Sequence, residues 1–545
     1  MKIFAVYLCD YKDRNDYYLS LMPYGITTIA AYLEQEGHEV TLANFSSYGY
    51  LKAVELTIAG KPYAVAVSIF SFNRTESFKY IRELKRRDKN IVVVAGGQHP
   101  TFLADQIISH YPEIDFLVKG EGEYSIKQLA DKSFRHDEKI VSSERITNLD
   151  TIRFPSLFNG KTIGVNPNEQ FKYIITSRGC PSNCTYCSSP NFWNKKVTYR
   201  SPENIVNELK HINEKFGIIY FSIRDDNFTL NKKRVLEFCR LLDESRLYMM
   251  WNCQARVDTI DEEMLTAMKK SGLEHIQFGV ESGSEKILKI YDKHITPEKI
   301  RKASAITRKV GVYLSFYLMT GMTGETTDDI EDTKKLVQQT KPHDVIVSPV
   351  AYYPGTKIYT TSMKKGNISD NIWFNSEENG LYLNKQSTND RNIKNILNFS
   401  NRVSANSEYN KNDFQIHRQL TGDNCWMNYI IEGDHYSAKS DIKKASLQYL
   451  KLIENYPDNI WGYLRMAEVL SAESDIRAIE YFVKATELVP SYYGSWMRLA
   501  QIEYLSGKIS RAKTSISKAL KLNPFEPEIS RLAGLINNKN DIKSL

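Results

Sequence analysis

Short runs of apolar, largely β-branched residues recur along residues 1–130, and an amphipathic stretch follows each of them. The runs are KIFAVYL (2–8), EVTLANF (39–45), YAVAVSIF (63–70), IVVVAGG (91–97) and DFLVKG (115–120). They are apolar almost throughout rather than at alternate positions, so both faces of each strand must be covered. The segments between them carry helical spacing, as in Ile26, Ile29, Ala30 and Leu33 ahead of the stop residue Gly37. Strand–helix alternation of this kind leaves one main solution, a parallel sheet with helices on both faces.

Five such units predict a flavodoxin-like, Rossmann-type domain over residues 1–135, with its ligand beyond the carboxyl ends of the strands. The Asn/Gly-rich NGKTIGVNPNE and Pro155 mark residues 136–170 as a linker. From 171 the alternation resumes at a wider period, with strand candidates FKYIITS (171–177), GIIYFSI (217–223), LYMMWN (247–252), HIQFGVE (275–281), VYLSFYL (312–318) and DVIVSPV (344–350). Six βα units over 171–365 predict a partial, TIM-like (βα)6 barrel whose site lies in the loops after the strands. Residues 366–435 are polar and Asn-rich, and the sequence assigns them no element.

Residues 436–540 carry a repeat. Ala445, Ala478 and Ala512 stand 33 and 34 residues apart, as do Pro457, Pro490 and Pro524, and Tyr449, Phe482 and Ile516. A small residue where paired helices touch, a bulky one four on and a closing proline resemble tetratricopeptide repeats, which implies an all-α solenoid.

Composition excludes several classes. Hydrophobic residues make up 42% and charged residues 25% of the 545, which argues against wholesale disorder. The net charge of +7 is spread without a dense basic block, so no nucleic-acid partner is expected. No 18-residue apolar run occurs, and Asp10 interrupts the start MKIFAVYLCDYKDR before a signal peptide can form. A cytoplasmic protein without membrane association is the expectation.

Seven cysteines do not suggest a disulfide framework in such a chain, and three of them fall within eight residues. In SRGCPSNCTYCSSP, Cys180, Cys184 and Cys187 form a C-x3-C-x2-C loop straight after the first barrel strand. Soft thiolates of this spacing select iron–sulfur or zinc. A closed zinc site needs a fourth ligand, and the next histidine downstream is His211. Three ligands on a cubane leave one iron open. Cys239 and Cys253 lie in apolar contexts and read as core thiols.

Residues 170–360 resemble the radical SAM superfamily, in the variant with the aromatic Tyr186 directly before the last cysteine. The resemblance implies a [4Fe–4S] cluster on Cys180, Cys184 and Cys187, whose open iron chelates the methionine part of S-adenosylmethionine. One-electron reduction then gives a 5′-deoxyadenosyl radical. RDDNF (224–228) follows the second strand, where the family places polar contacts, which puts Asp225, Asp226 and Asn227 at the cofactor. GVESGS (279–284) ends the fourth strand, and Glu281 and Ser282 match ribose or methionine contacts. TGMTGET (320–326) resembles the glycine-rich loop around Gly321, with Thr323 where proline is common, and PGT (354–356) follows strand six. Taken singly, Asp225 and Asp226 also fit a solvated or N-cap pair, Glu281 an exposed strand end, and Gly321 a turn.

The first domain resembles the cobalamin-binding domain of the cobalamin-dependent radical SAM enzymes. The motifs are PYGITTIAAYLEQEGHEV (23–40), SIFSFN (68–73), VVAGGQHPT (93–101) and VKGEGE (118–123). The resemblance implies contacts to cobalamin from Ser68, Asn73, Gly96, Gly97 and Glu121. Methylthiotransferases also carry a flavodoxin-like first domain, but with three cysteines of its own, where here only Cys9 is available.

The resemblance implies a methyltransferase acting on an unactivated carbon or phosphorus centre of a small molecule or peptide, with a flavodoxin or ferredoxin as electron donor. A non-methylating relative with the same cofactors, performing cyclisation, ring contraction or oxidation, stays open. So does a scaffold whose repeats bind a protein partner beside a vestigial barrel.

Overall fold

The computed structural model describes residues 1–9, 20–135, 137–378 and 380–537. Its first sheet has seven strands: β1 (Lys2–Tyr7), β2 (Glu39–Asn44), β3 (Ala64–Ser68), β4 (Val92–Gly96), β5 (Phe116–Lys119), β6 (Ile140–Ser142) and β7 (Lys161–Ile163). All pair in parallel, in the order β6-β5-β4-β3-β1-β2-β7. β1 shows why its run is apolar throughout. Ile3, Ala5 and Tyr7 enter the core under the helix Tyr24–Gln35, while Phe4, Val6 and Leu8 enter the core on the other face. From β1 the strand order departs in both directions, which opens a crevice at the carboxyl ends of β1 and β3.

Two expectations are corrected here. The segment 136–170 is more than a linker, since it supplies β6 and β7, the two sheet edges. Each is three residues long, and Lys161 and Thr162 of β7 are exposed, so neither carries an apolar run that the sequence could show. Residues 366–435, unassigned from sequence, contain the helices Ile372–Asn375, Gln386–Ser404 and Lys411–Thr421 and most of Trp426–Ala438. The first lies on the opening domain, where buried Arg74 donates to the Trp373 carbonyl at 3.0 Å and stacks on its ring at 5.0 Å. The second covers the edge of the other sheet.

That other sheet has six parallel strands in the order β15-β14-β13-β12-β11-β8. They are β8 (Tyr173–Ile174), β11 (Tyr220–Ile223), β12 (Met250–Ala255), β13 (Leu273–Glu281), β14 (Tyr313–Thr320) and β15 (Asp344–Pro349). The run 171–177, expected as one strand, splits. After β8 the chain leaves the ladder, and β9 (Ser177–Arg178) pairs antiparallel with β10 (Thr198–Tyr199). The break falls at Thr176, whose backbone N–H donates to Asp225 at 2.6 Å instead of to a neighbouring strand.

The carboxyl-terminal region is helical. Helices Ile442–Asn455, Ile460–Ala472, Ala478–Leu488, Tyr493–Leu505, Ile509–Leu522 and Pro527–Asn537 pack each on the next. Ala445, Ala478 and Ala512 are fully buried at their contacts. The region shares a core with the amino-terminal end of the barrel, where Ile219 and Met250 pack among Trp426 and Trp461. Trp461 Nε1 donates to the Tyr248 carbonyl at 2.8 Å and Trp426 Nε1 to that of Lys270 at 3.1 Å. Gly217, at φ +63°, admits the chain at Ser491, whose backbone a Cβ there would meet at 2.3 Å. Among the described residues no helix is long and apolar enough to cross a membrane.

Candidate active site

The cysteine loop sits on the carboxyl-terminal rim of the second sheet. It is pinned by Thr185, whose N–H and hydroxyl donate to the carbonyls of Tyr291 (2.9 Å) and Ile290 (3.0 Å), and by Asn183, which donates to Asp292 at 2.5 Å. Cys180 and Cys184 are buried and Cys187 is half-buried. Burial pushes the Cys187 thiol up to about 12, with Asp226 and the other two thiols adding to the rise. Bound iron reverses that balance by stabilising the thiolate. Among the described residues no three thiol, imidazole or carboxylate groups converge as they would on a single ion. A cubane asks for no such convergence, because each thiolate takes its own iron. Arg256 Nη1 stands 3.9 Å from Cys184 Sγ, a cation beside an anionic cluster.

Glu281 ends β13 at a register shift and at φ +67°, the left-handed region that a non-glycine residue enters at a cost. What holds it there is a buried set. Tyr186 OH donates to its Oε1 at 2.9 Å, Lys293 Nζ donates to the same oxygen at 2.6 Å, and Lys293 lies 3.0 Å from Tyr186 OH. Tyr186, one residue before Cys187, thereby joins the cluster loop to Glu281. Lys293 escaped the sequence reading because YDKH carries no motif spacing.

The RDDNF residues divide. Asp225 is 1% exposed, and its carboxylate is filled by the Thr176 N–H and hydroxyl and by Ser177 Oγ at 2.5–2.6 Å. It holds the entry to the cysteine loop. Asp226 accepts from Ser189 Oγ at 2.6 Å and opens onto a cavity, and its carboxyl is raised by burial. Asn227 is buried, and among the described residues its Nδ2 has no hydrogen-bond partner, a donor left for a ligand. Ser282 is spent within the fold, 3.2 Å from Thr333 Oγ1 and accepting from the Ser284 N–H at 3.1 Å. Gly321, at φ +94°, is a turn closed by Glu325, which accepts its N–H at 2.7 Å.

The cavity lies between the two domains, at the carboxyl ends of β3, β4 and β5, with a volume of about 290 Å3. On one side are Ser68, Gly96, Gly97 and Glu121, and on the other Ser177, Arg178, Trp193 and Asp226. Gly96 lines the cavity without a tight neighbour, since a Cβ there would come no nearer than ordinary contact with the Val118 carbonyl at 3.8 Å. Such a glycine floor suits a large flat group. Asn73 does not line the cavity. Its Nδ2 donates to the carbonyls of Leu8 (2.7 Å) and Ser68 (3.2 Å), and its Oδ1 accepts from the Phe70 N–H at 2.6 Å. It staples β1 to β3. Tyr24, Gln98, Phe192 and Trp193 line the cavity without having been singled out from sequence.

Arg178 crosses the cavity wall. Its guanidinium donates to Glu121 at 2.7 Å and to Glu123 at 2.6 Å, and all three are buried. Burial opposes the charge, and Glu123 and Glu121 more than offset it, so the pKa is raised. The GEGE loop after β5 is thus tied to the chain two residues before Cys180. Glu123 was visible in that motif, but nothing in spacing pairs it with Arg178.

Residues 174–337 match the radical SAM superfamily and residues 15–130 match the B12 binding domain. An uncharacterized methyltransferase of Pyrococcus horikoshii is 28% identical over 360 residues, 62% of this chain and 77% of its own. The anaerobic magnesium-protoporphyrin IX monomethyl ester cyclase of Rubrivivax gelatinosus is 28% identical over 303 residues. That match takes in 51% of this chain and 54% of the cyclase, about half of its length. The fold is shared with the radical S-adenosylmethionine methyltransferase TsrM of Kitasatospora setae (TM-score 0.57, 18% identity, 67% of this chain and 76% of that one). It is also shared with the cobalamin-dependent S-adenosylmethionine radical enzyme OxsB (TM-score 0.58, 14% identity, 95% of this chain and 84% of that one). The cysteine loop, the glycine-floored cavity and the two matched domains agree: the chain is a cobalamin-dependent radical SAM enzyme whose cofactors are a [4Fe–4S] cluster, S-adenosylmethionine and cobalamin.

Proposed function

We infer that the chain is a methyltransferase acting on an unactivated carbon or phosphorus centre. The observation that carries this is the tie from Arg178 to Glu121 and Glu123, which sets the cobalamin cavity against the root of the cluster loop. Bound together, the cofactors supply a 5′-deoxyadenosyl radical and a transferable methyl group. The chain's own part is to orient them: Tyr186, Glu281 and Lys293 form a buried polar set beside the cluster, Asn227 offers its free donor, and Gly96 lets a flat group approach the strand ends. Phe192 and Trp193 wall the cavity against water. The test is anaerobic turnover with methyl-labelled S-adenosylmethionine. Label in the product, matched by S-adenosylhomocysteine, supports methyl transfer, whereas product without label assigns the chain to the cyclising relatives.

The helical region reads as three tetratricopeptide-like pairs and a closing helix, supported by the buried alanines and by prolines that follow the second helix of each pair. The first helices of the pairs, through Trp426 and Trp461, lie against the barrel, so a protein partner would bind the outer helices. A flavodoxin- or ferredoxin-type protein is the electron donor this chemistry requires, and the cytoplasm suits its oxidation-prone thiolates.

A further inference from the structure

The concave face of the second sheet carries a polar ladder that neither the cluster loop nor the cobalamin cavity uses. In one rung Tyr173, Ser222, Asn252, His275 and Tyr313 stand opposite one another. In the next stand Gln254, Gln277, Ser315 and Asp344. The intervening residues, such as Phe221, Cys253, Phe278 and Phe316, enter the core beneath the helices, so the period of two sorts the side chains cleanly. At these two rungs the core face is apolar, while the concave face offers amides, hydroxyls and an imidazole.

The ladder is paired across strands but not saturated. Ser222 Oγ donates to Asn252 Oδ1 at 2.6 Å, Gln254 Nε2 donates to Gln277 Oε1 at 3.1 Å, and His275 Nε2 lies 2.7 Å from Ser315 Oγ. Asn252, Gln254, His275 and Gln277 are only half-buried. A carboxamide offers two donors and two acceptor positions, so each glutamine keeps capacity beyond the one bond it makes to the other. Below, Ile219 and Met250 pack against the carboxyl-terminal helices, which close the floor. Above, Arg224 lines the cobalamin cavity and holds its guanidinium 5.2 Å from the Tyr173 ring, so the ladder leads up to that cavity.

We propose that the polar pairs of this face select a small, water-soluble substrate rich in hydroxyl, amide or carboxylate groups. A tetrapyrrole, the kind of molecule named for the cyclase relatives, would cover the glutamines with apolar surface and strand their donors. Sites built of such groups reject partners that cannot hydrogen-bond to them. The inference rests on the radical-enzyme reading, and its test separates the two. The full chain, loaded anaerobically with iron, sulfide and cobalamin, is given dithionite and S-adenosylmethionine, and 5′-deoxyadenosine is followed. No release under any condition would count against the radical reading itself. With basal release present, the aqueous phase of a methanol–chloroform–water extract of the source cells should raise it several-fold. The organic phase and magnesium-protoporphyrin IX monomethyl ester should not. The double variant Gln254→Leu, Gln277→Leu should lose the response while its iron and cobalamin contents match the parent's. Stimulation by the organic phase or by the porphyrin would overturn the proposal. So would an unchanged response in a fully loaded double variant, or no response of the parent to either phase.

Discussion

Arg178 and Glu123 are 55 positions apart in the chain and 2.6 Å apart in the structure, and the pair joins the first domain to the second beside the cysteine loop. Glu121 makes the second arm, at 2.7 Å. Three buried charges in one knot are stable only as a set, because removing one leaves the others in a medium that solvates them poorly.

Arg178→Met should therefore destabilise the chain by about 3–5 kcal/mol. Adding Glu121→Gln and Glu123→Gln should recover a large part of that loss. Chemical denaturation of the single and triple variants measures both. Equal stability of the parent and the single variant would show that the knot carries no coupling between the two domains.

Cys184→Ala should abolish the brown absorbance and 5′-deoxyadenosine release while leaving the far-ultraviolet circular dichroism of the parent. The three thiolates each hold a separate iron, so two cannot keep a cluster with one open corner. Near-parent 5′-deoxyadenosine release from this variant would remove the cluster assignment.

Removing residues 436–545 tests how the helices belong to the enzyme. Their separate periodicity suggests a detachable domain, but Ile219 and Met250 of the barrel lie in a core completed by those helices. Truncation bares this surface, and the shortened chain should aggregate or lose loaded iron and cobalamin. A soluble, fully loaded fragment would show that the barrel closes without them.

What was legible in the sequence follows from what leaves a periodic trace. Both parallel sheets show in their apolar runs, because buried strands need them, and the cysteine loop shows in its spacing. The edge strands β6 and β7 leave no such trace, since three residues at a rim need not be apolar. At the site, the motif marks where a side chain stands but not where its hydrogen bonds go. Asp225 and Asn73 fall within matching motifs, yet Asp225 is filled by Thr176 and Ser177, and Asn73 by Leu8, Ser68 and Phe70. Lys293 and Arg178 work through partners 12 and 55 or more residues away, a relation only the fold creates.

Acid should unfold the protein through its buried histidines. Burial lowers His99 and His417 to about 3, from 6.5 in the unfolded chain. Between those values the unfolded state binds protons that the native state refuses. Their contribution is therefore complete above about 6.5 and is lost as pH falls toward 3, at about 1.4 kcal/mol per pH unit for each histidine. His417→Phe should flatten the fall in stability by about one proton's slope in that window. An unchanged slope would place the acid sensitivity elsewhere.

The last expectation concerns the lower face of cobalt. Some cobalamin domains supply a histidine from the loop after their first strand. Here the sequence from Asp10 to Gly25 contains none, and the part of that loop at residues 10–19 lies outside the described residues. His38 stands at the entry to β2, at the opposite end of the sheet from the cavity. His99 follows β4 on the correct side, but its ring is 1% exposed, bonded through Nδ1 to Ser71 Oγ at 3.0 Å and set edge-on against Trp373. Its neighbour Gln98 lines the cavity, and His99 does not. Cobalamin should thus bind without a protein imidazole and with its own benzimidazole displaced, which leaves cobalt less electron-rich from below. Electron paramagnetic resonance of the bound cob(II)alamin should show cobalt lines without the three-line splitting of an axial nitrogen. Splitting that disappears in His99→Ala would name that residue as the ligand, and splitting that persists would show the benzimidazole still in place.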